Sequence, residues 1–312
     1  MKKNQVLIEG ASMLAIFILM LLLSLFIPLV SIVVQFFLIL PFLLYSAKYP
    51  VKYAAMLVVA AVFVSFVLGS YYAVPLALLF GTTGLMMGYC IRSRKNKLVV
   101  YLASSMVFLA NILLFFAIAA KFFGMNFLEE ISDLFKSSVT QYTDALSIIG
   151  QSPPPELQDQ LGEMIRMMNS MAPTLLLITA FITVLILMAV NFPIIKRLGI
   201  AVPKFEPFRL MKFPKSILWY YLIALVLSML MKLEVGSYWY MALVNAAFIL
   251  QTLLVIQGLS FIFYYNHIKK WPKFIPILAV ILTLVLPFIL SIVRVLGIID
   301  IGFNLRQRLN NK

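Results

Sequence analysis

The side chains able to do chemistry inside an apolar medium are few in this sequence. Nearly all are neutral amides: Gln35, Asn111, Asn245, Gln251 and Gln257. An amide both donates and accepts, so in lipid it either bonds a neighbouring helix or holds a polar solute. At about 100° per residue, Asn245, Gln251 and Gln257 point in three directions and cannot line one cavity together. Interhelical bonding is the expected use for most of these amides. Gln35 and Asn111, with the paired aromatics Tyr71 and Tyr72, form the candidate lining of a small-solute site. Small residues supply a second pattern. Ala11 and Ala15 lie one turn apart, and Gly81, Gly84 and Gly88 recur at helical spacing, which lets helix backbones approach closely in lipid. The glycines are expected to pack within one bundle. The alanine pair lies near a helix end, where a separate subunit could reach it.

Catalysis finds no support in the sequence. His267 is the lone histidine and Cys90 the lone cysteine, so zinc-finger, HExxH and thiolate-cluster chemistry are excluded. His267 falls in a basic loop while most acids fall on the opposite side of the expected topology, which blocks a Ser/His/Asp arrangement. No GxxxxGK[ST] stretch is present to cradle ATP. Glu9 and Arg294 are ionisable groups near apolar runs, and both lie close enough to a run's end to snorkel. No catalytic residue, metal ligand or cofactor site is expected.

The elements that must position these groups follow from composition. Hydrophobic residues are 63% of the 312 and charged residues 12%, with a mean hydropathy of +1.05. Soluble domains carry about a quarter charged residues, so the chain belongs in a bilayer. Its net charge of +14 sits in short clusters between apolar runs, the pattern of positive-inside loops, and a nucleic-acid partner is not expected. Nine apolar runs are expected to cross: 6–27, 29–45, 53–68, 73–91, 98–120, 171–192, 216–231, 238–265 and 274–296. The run 6–27 is too long for a cleaved signal peptide. A turn is expected at 69–72. With the amino terminus in the cytoplasm, the clusters at Lys48/Lys52, Arg92–Lys97, Lys196–Lys215 and Lys269–Lys273 are all cytoplasmic. Arg306 and Arg308 are then left outside, against the rule.

Residues 121–170 are the exception to this apolar character. They hold Glu129, Glu130, Asp133, Asp144, Glu156, Asp159 and Glu163, seven of the eleven acids. Two amphipathic stripes, broken by Pro153–Pro155, predict an extracytoplasmic helical hairpin with one apolar face on each arm. Leu134 and Leu161 mark those faces, and the hairpin is the candidate lid over the outer mouth of the first six helices. The expected fold is therefore all-α, a polytopic membrane helix bundle. Its segments are 1–120 with five membrane helices, 121–170 the hairpin, 171–193 the sixth helix, and 194–312 a basic loop with three more.

Two resemblances bear on function. Over its full length, the helix pattern, the basic loops and the ending Gly297-Ile-Ile-Asp300-Ile-Gly-Phe-Asn304-Leu-Arg306 resemble the YybS-like family of bacterial membrane proteins, domain-of-unknown-function family 2232. That family's pattern is G-x-x-D followed by an arginine. Residues 1 to about 193 resemble the substrate-binding subunit of energy-coupling factor vitamin transporters, which docks through an alanine-xxx-alanine pair on its first helix. The resemblance implies that Ala11 and Ala15 dock a transmembrane coupling subunit served by separate ATPases, and that an unidentified small molecule binds near the outer face. The expectation is a non-enzymatic small-solute binding or transport component of the cell membrane. The alternative is a membrane scaffold or regulatory partner protein without a solute.

Overall fold

The apolar runs do become helix, because only helical backbone satisfies its own hydrogen bonds without water. The computed structural model of the chain describes residues 3–148, 157–204, 206–231, 234 and 236–310. Among these there is no strand. The helices are α1 (Lys3–Phe26), α2 (Pro28–Val34), α3 (Leu40–Lys48), α4 (Val51–Arg92), α5 (Lys97–Phe123), α6 (Phe127–Ile148), α7 (Leu157–Arg197), α8 (Ser216–Leu230), α9 (Tyr238–Ile268), α10 (Phe274–Val285), α11 (Pro287–Phe303) and α12 (Leu305–Asn310), with a 3-10 turn at Phe208–Leu210. Their ends follow local chemistry. Asn96 caps α5 by accepting from the Val99 N–H at 2.8 Å, Ser237 caps α9 by accepting from the Tyr240 N–H at 3.3 Å, and Gly124 closes α5 in the left-handed region at φ 63.

Among the described residues six helices or helix arms are long and apolar enough to cross a membrane, or seven if a bent pair counts as one. Nine were expected, and the other three runs are short or broken helices. The run 29–45 breaks at Pro28 and at a five-residue turn over 35–39, leaving α2 with 7 residues and α3 with 9. At about 1.5 Å per residue neither approaches the ~30 Å of hydrocarbon. Its second half packs on protein, with Leu38, Ile39 and Leu43 fully buried and Phe42 nearly so, while Leu29, Ile32 and Val33 of α2 are exposed. Helix α8 has only 15 residues. The ninth run is two helices, α10 and α11, meeting at 118° at the break before Pro287. Lys48 at the end of α3 pairs with Glu9 near the start of α1 at 3.2 Å, so the run 29–45 brings the chain back to the end where α1 began, as two short helices instead of one.

The expected turn at 69–72 is helical in backbone, within α4. The chain nevertheless doubles back there. A Cβ on Gly81 would lie 3.2 Å from Val58 Cγ1, whereas 23 residues of straight helix would separate those positions by about 34 Å. The arms Val51–Leu68 and Ala73–Arg92 therefore pack against one another.

The chain forms two compact units, Met1–Ile131 with Leu176–Lys204, and Ser132–Leu175 with Phe205–Lys312. In the first, α1, α3, α4 and α5 pack around Phe17, Leu21, Phe42, Leu43 and Met87. Lys48 of α3 pairs with Glu9 of α1 at 3.2 Å. The second unit holds α8, α9, α10 and α11, with α9 central. The second hairpin arm and the sixth membrane helix are one helix, α7, because the stripe beginning at Leu157 runs in helical register straight into the apolar run. Of the hairpin expected over 121–170, the described residues up to Ile131 group with the first unit and those from Ser132 with the second. The proline turn 153–155 lies outside the described residues.

Candidate functional site

The second unit is built on one close helix crossing. Gly258 of α9 and Gly297 of α11 meet so tightly that a Cβ on Gly258 would lie 2.0 Å from the Val293 carbonyl oxygen. One on Gly297 would lie 2.0 Å from the Leu254 carbonyl oxygen. Only glycine fits at either position. Gly297→Ala is expected to abolish a monodisperse peak in size-exclusion chromatography. Gly302→Ala, whose Cβ would meet nothing nearer than Leu218 at 3.7 Å, is expected to elute normally. If both elute alike, the crossing is not what holds this unit.

Above the crossing the two helices run parallel and carry a buried polar cluster. Asp300 is fully buried and Arg306 is 8% exposed. Asp300 Oδ2 accepts from Arg306 Nε at 2.9 Å and from Gln257 Nε2 at 2.5 Å. The other two guanidinium nitrogens are also engaged: Nη1 donates to the Arg209 carbonyl at 2.7 Å and Nη2 to Ser260 Oγ at 3.0 Å. The guanidinium lies 5.2 Å from the centre of the Tyr264 ring. Ser260 Oγ donates toward the Phe208 and Met211 carbonyls, each at 2.8 Å, and Gln257 Oε1 accepts from the Phe213 N–H at 2.9 Å. Asp300 Oδ1 has no hydrogen-bond partner. The cluster ties the 208–213 loop to the ends of α9 and α11.

Local structure explains how a residue six positions beyond Asp300 reaches back to it. Residues six apart lie on different sides of a helix. Asn304, however, takes the left-handed conformation at φ 50, ending α11 and turning α12, so that Arg306 returns toward the carboxylate. Lys212 Nζ donates to Asn304 Oδ1 at 3.0 Å and holds the same corner. With every guanidinium nitrogen and the Ser260 hydroxyl engaged, the arrangement is a clamp on a loop, with no nucleophile poised beside a base.

A second buried junction lies along α9. Pro173 interrupts the hydrogen bonding of α7, and the Asn245 side chain bridges the disturbed turn. Its Oδ1 accepts from the Thr174 N–H at 3.0 Å, and its Nδ2 donates to the Ser170 carbonyl at 2.6 Å. An amide thus takes the place of a backbone i to i+4 pair.

The residues singled out by sequence fall as follows. Ala11 and Ala15 are both exposed on α1. Gly84 and Gly88 face α3: their Cβ atoms would lie 3.0 Å from the Ile39 carbonyl oxygen and 2.6 Å from that of Leu43. Asn111 is 9% exposed and donates to Thr82 Oγ1 at 2.9 Å and the Val107 carbonyl at 2.7 Å. Gln35 is exposed in the turn after α2. The side chains of Tyr71, Tyr72 and Leu161 lie outside the described residues, and Leu134 is exposed. Sequence reading did not foresee the clamp. The signal was there in part: Gln257, Ser260 and Tyr264 follow one another at spacings of three and four, one face of α9.

Comparison with known proteins adds the relatives. A family model described as "Predicted membrane protein (DUF2232)" matches residues 15–301, a range that includes Gln257, Ser260 and Asp300. The chain is 31% identical, over 316 residues covering 99% of both chains, to a Bacillus subtilis (strain 168) protein named "Uncharacterized protein YybS". No solved structure matches.

Proposed function

The chain belongs to the DUF2232 family of predicted membrane proteins, and from that footing we propose that it is a non-catalytic membrane scaffold or regulatory partner protein that carries no solute. The supporting observation is where the intramembrane amides go. Asn111 bonds Thr82, Asn191 bonds the Phe36 carbonyl, Asn245 bonds Ser170 and Thr174, and Gln257 bonds Asp300 and Phe213. A solute site needs polar groups converging on an open cavity, whereas these hold helices and loops to one another. In this reading the protein lies in the cell membrane with its amino terminus and basic loops in the cytoplasm and α6 outside. A partner protein docks on those loops. Purified from native membranes, the protein is expected to carry lipid and a stoichiometric protein partner. That partner is expected to be lost on Lys204→Gln with Lys215→Gln, two exposed loop cations. A stoichiometric polar metabolite found by mass spectrometry overturns the reading.

A second reading is a small-solute binding and transport component resembling the substrate-binding subunit of an energy-coupling factor transporter. It is favoured by the exposure of both Ala11 and Ala15 on one strip of α1. In that case each of Ala11→Leu and Ala15→Leu removes a transmembrane coupling subunit, and with it the separate ATPases, from the purified complex without altering the elution of the chain itself, because close backbone approach tolerates no added bulk. Retention of every partner by both variants removes this reading's residue-level support.

A further inference from the structure

The loop that joins α9 to α10 borders two cavities in the second unit, one wholly apolar and one whose largely apolar wall also carries a set of cations. One, of about 290 Å³, is apolar, with Phe261, Ile262, Ile275 and Leu296 in its wall. The other, of about 720 Å³, is bordered by Arg209, His267, Lys270 and Lys273, with Phe208 and Phe263 beside them. Asn266 and Trp271 belong to both. Asn266 is 8% exposed and its Oδ1 accepts from no group, so a buried polar atom without a partner stands between the two chambers.

The geometry of this corner is built. Lys270 takes the left-handed conformation at φ 54, and the Trp271 N–H closes the turn on the Asn266 carbonyl at 3.1 Å. Trp271 packs edge-on against Tyr265 with ring centres 5.5 Å apart. Arg209 is fixed from the other side, since its carbonyl is held by Arg306. Among the described residues no carboxylate lies within salt-bridge distance of Arg209, Lys270 or Lys273. The buried carboxylate of this unit, Asp300, is paired with Arg306. Arg209, Lys270 and Lys273 border one cavity with no described carboxylate paired to any of them, a setting that favours a bound anion.

Below these cations runs an apolar track. Phe274, Ile277, Leu278 and Ile281 of α10 are each 46–63% exposed. Their spacing of three, one and three places them on one face of the helix, extending about 10 Å from the cluster. Soluble anions have no use for such a track, but an acyl chain does.

We propose that this corner binds an anionic phospholipid, its phosphate among Arg209, His267, Lys270 and Lys273 and an acyl chain along α10 and into the apolar chamber. Basic pockets at the cytoplasmic ends of membrane helices take such headgroups because the inner leaflet is negatively charged. The proposal rests on the preceding reading only in placing this loop at the cytoplasmic face.

The test is native mass spectrometry of the detergent-purified full chain, titrated with phosphatidylglycerol and with phosphatidylcholine of the same acyl chains, and with glycerol 3-phosphate as competitor. Phosphatidylglycerol is expected to bind about tenfold or more tighter than phosphatidylcholine. Lys270→Gln with Lys273→Gln is expected to weaken it roughly ten- to thirty-fold while leaving phosphatidylcholine unchanged. Both lysines are exposed, so the fold survives the change. Lys48→Gln with Lys52→Gln, cations elsewhere in the chain, is expected to have no effect. Equal binding of the two lipids overturns the proposal, as does insensitivity to the Lys270/Lys273 pair. Competition by millimolar glycerol 3-phosphate overturns it too, because the site would then take a soluble phosphate. Failure here with a protein partner still co-purifying leaves the scaffold reading intact. A co-purifying polar metabolite removes the scaffold reading without touching the lipid site.

Discussion

Single cysteines placed at Lys270 and Gln307, in a chain carrying Cys90→Ala, will react with an impermeant thiol reagent from the same side of the membrane, and a cysteine at Tyr238 will react from the other. Lys270, Gln307 and Tyr238 are all exposed. The expectation rests on the path of the last two long helices. Helix α10 departs from the loop that ends α9, and the chain then turns through 118° before α11. Helix α11 rejoins α9 in parallel: Gly297 meets Leu254 and Gly258, Asp300 meets Gln257, and Arg306 meets Ser260 and Tyr264. The end of α11 therefore lies beside the end of α9. With 12 residues in α10 and 17 in α11, the two arms extend about 18 and 26 Å, each short of the ~30 Å core. On this expectation the pair enters and leaves on one side. Charge agrees, for it moves Arg306 and Arg308 to the side of Lys269, Lys270 and Lys273, which the positive-inside rule requires. The result is all-or-none: labelling of Gln307 together with Tyr238 would mean that α10 and α11 cross completely.

Removing either member of the Asp300–Arg306 pair will destabilise the protein by about 3–5 kcal/mol, because each single change leaves an uncompensated charge in a dry interior. For Arg306→Met the stranded group is a fully buried carboxylate that keeps only Gln257. For Asp300→Leu it is a guanidinium that keeps Ser260 and the Arg209 carbonyl but loses its anion. At roughly 2–4 °C per kcal/mol for a body of this size, the melting temperature in detergent falls by about 6–20 °C. The double variant Asp300→Leu with Arg306→Met removes both charges at once and is expected to recover most of that loss, since apolar replacements of a buried pair are often near neutral. A double variant as unstable as the two singles combined, or singles that melt with the parent, would show that the pair does not hold the 208–213 loop.

Several features of the protein were legible before any fold was known. The helical class, the basic loops and the amphipathic character of α6 follow from composition and period, because a backbone in lipid has one economical way to satisfy its own hydrogen bonds. The separate destinations of Asn245 and Gln257 were also legible, since 12 residues of helix turn them to different neighbours. The family resemblance rested on Gly297, Asp300 and Arg306, and the structure places all three at the crossing and clamp.

Tertiary structure decided the rest, each time because a local pattern has two physical uses. An apolar run of this length reads as one unbroken span, and only the structure shows that 29–45 is two short helices, α2 exposed and α3 packed on the bundle through Phe42 and Leu43. A proline in an apolar run can kink a helix slightly or separate two, and only the parallel docking of α11 on α9 distinguishes these at Pro287. Asp300 and Arg306, six apart, carry no helical signature of contact. Their pairing depends on one left-handed residue, Asn304 at φ 50, which ends α11 and turns Arg306 back onto the carboxylate.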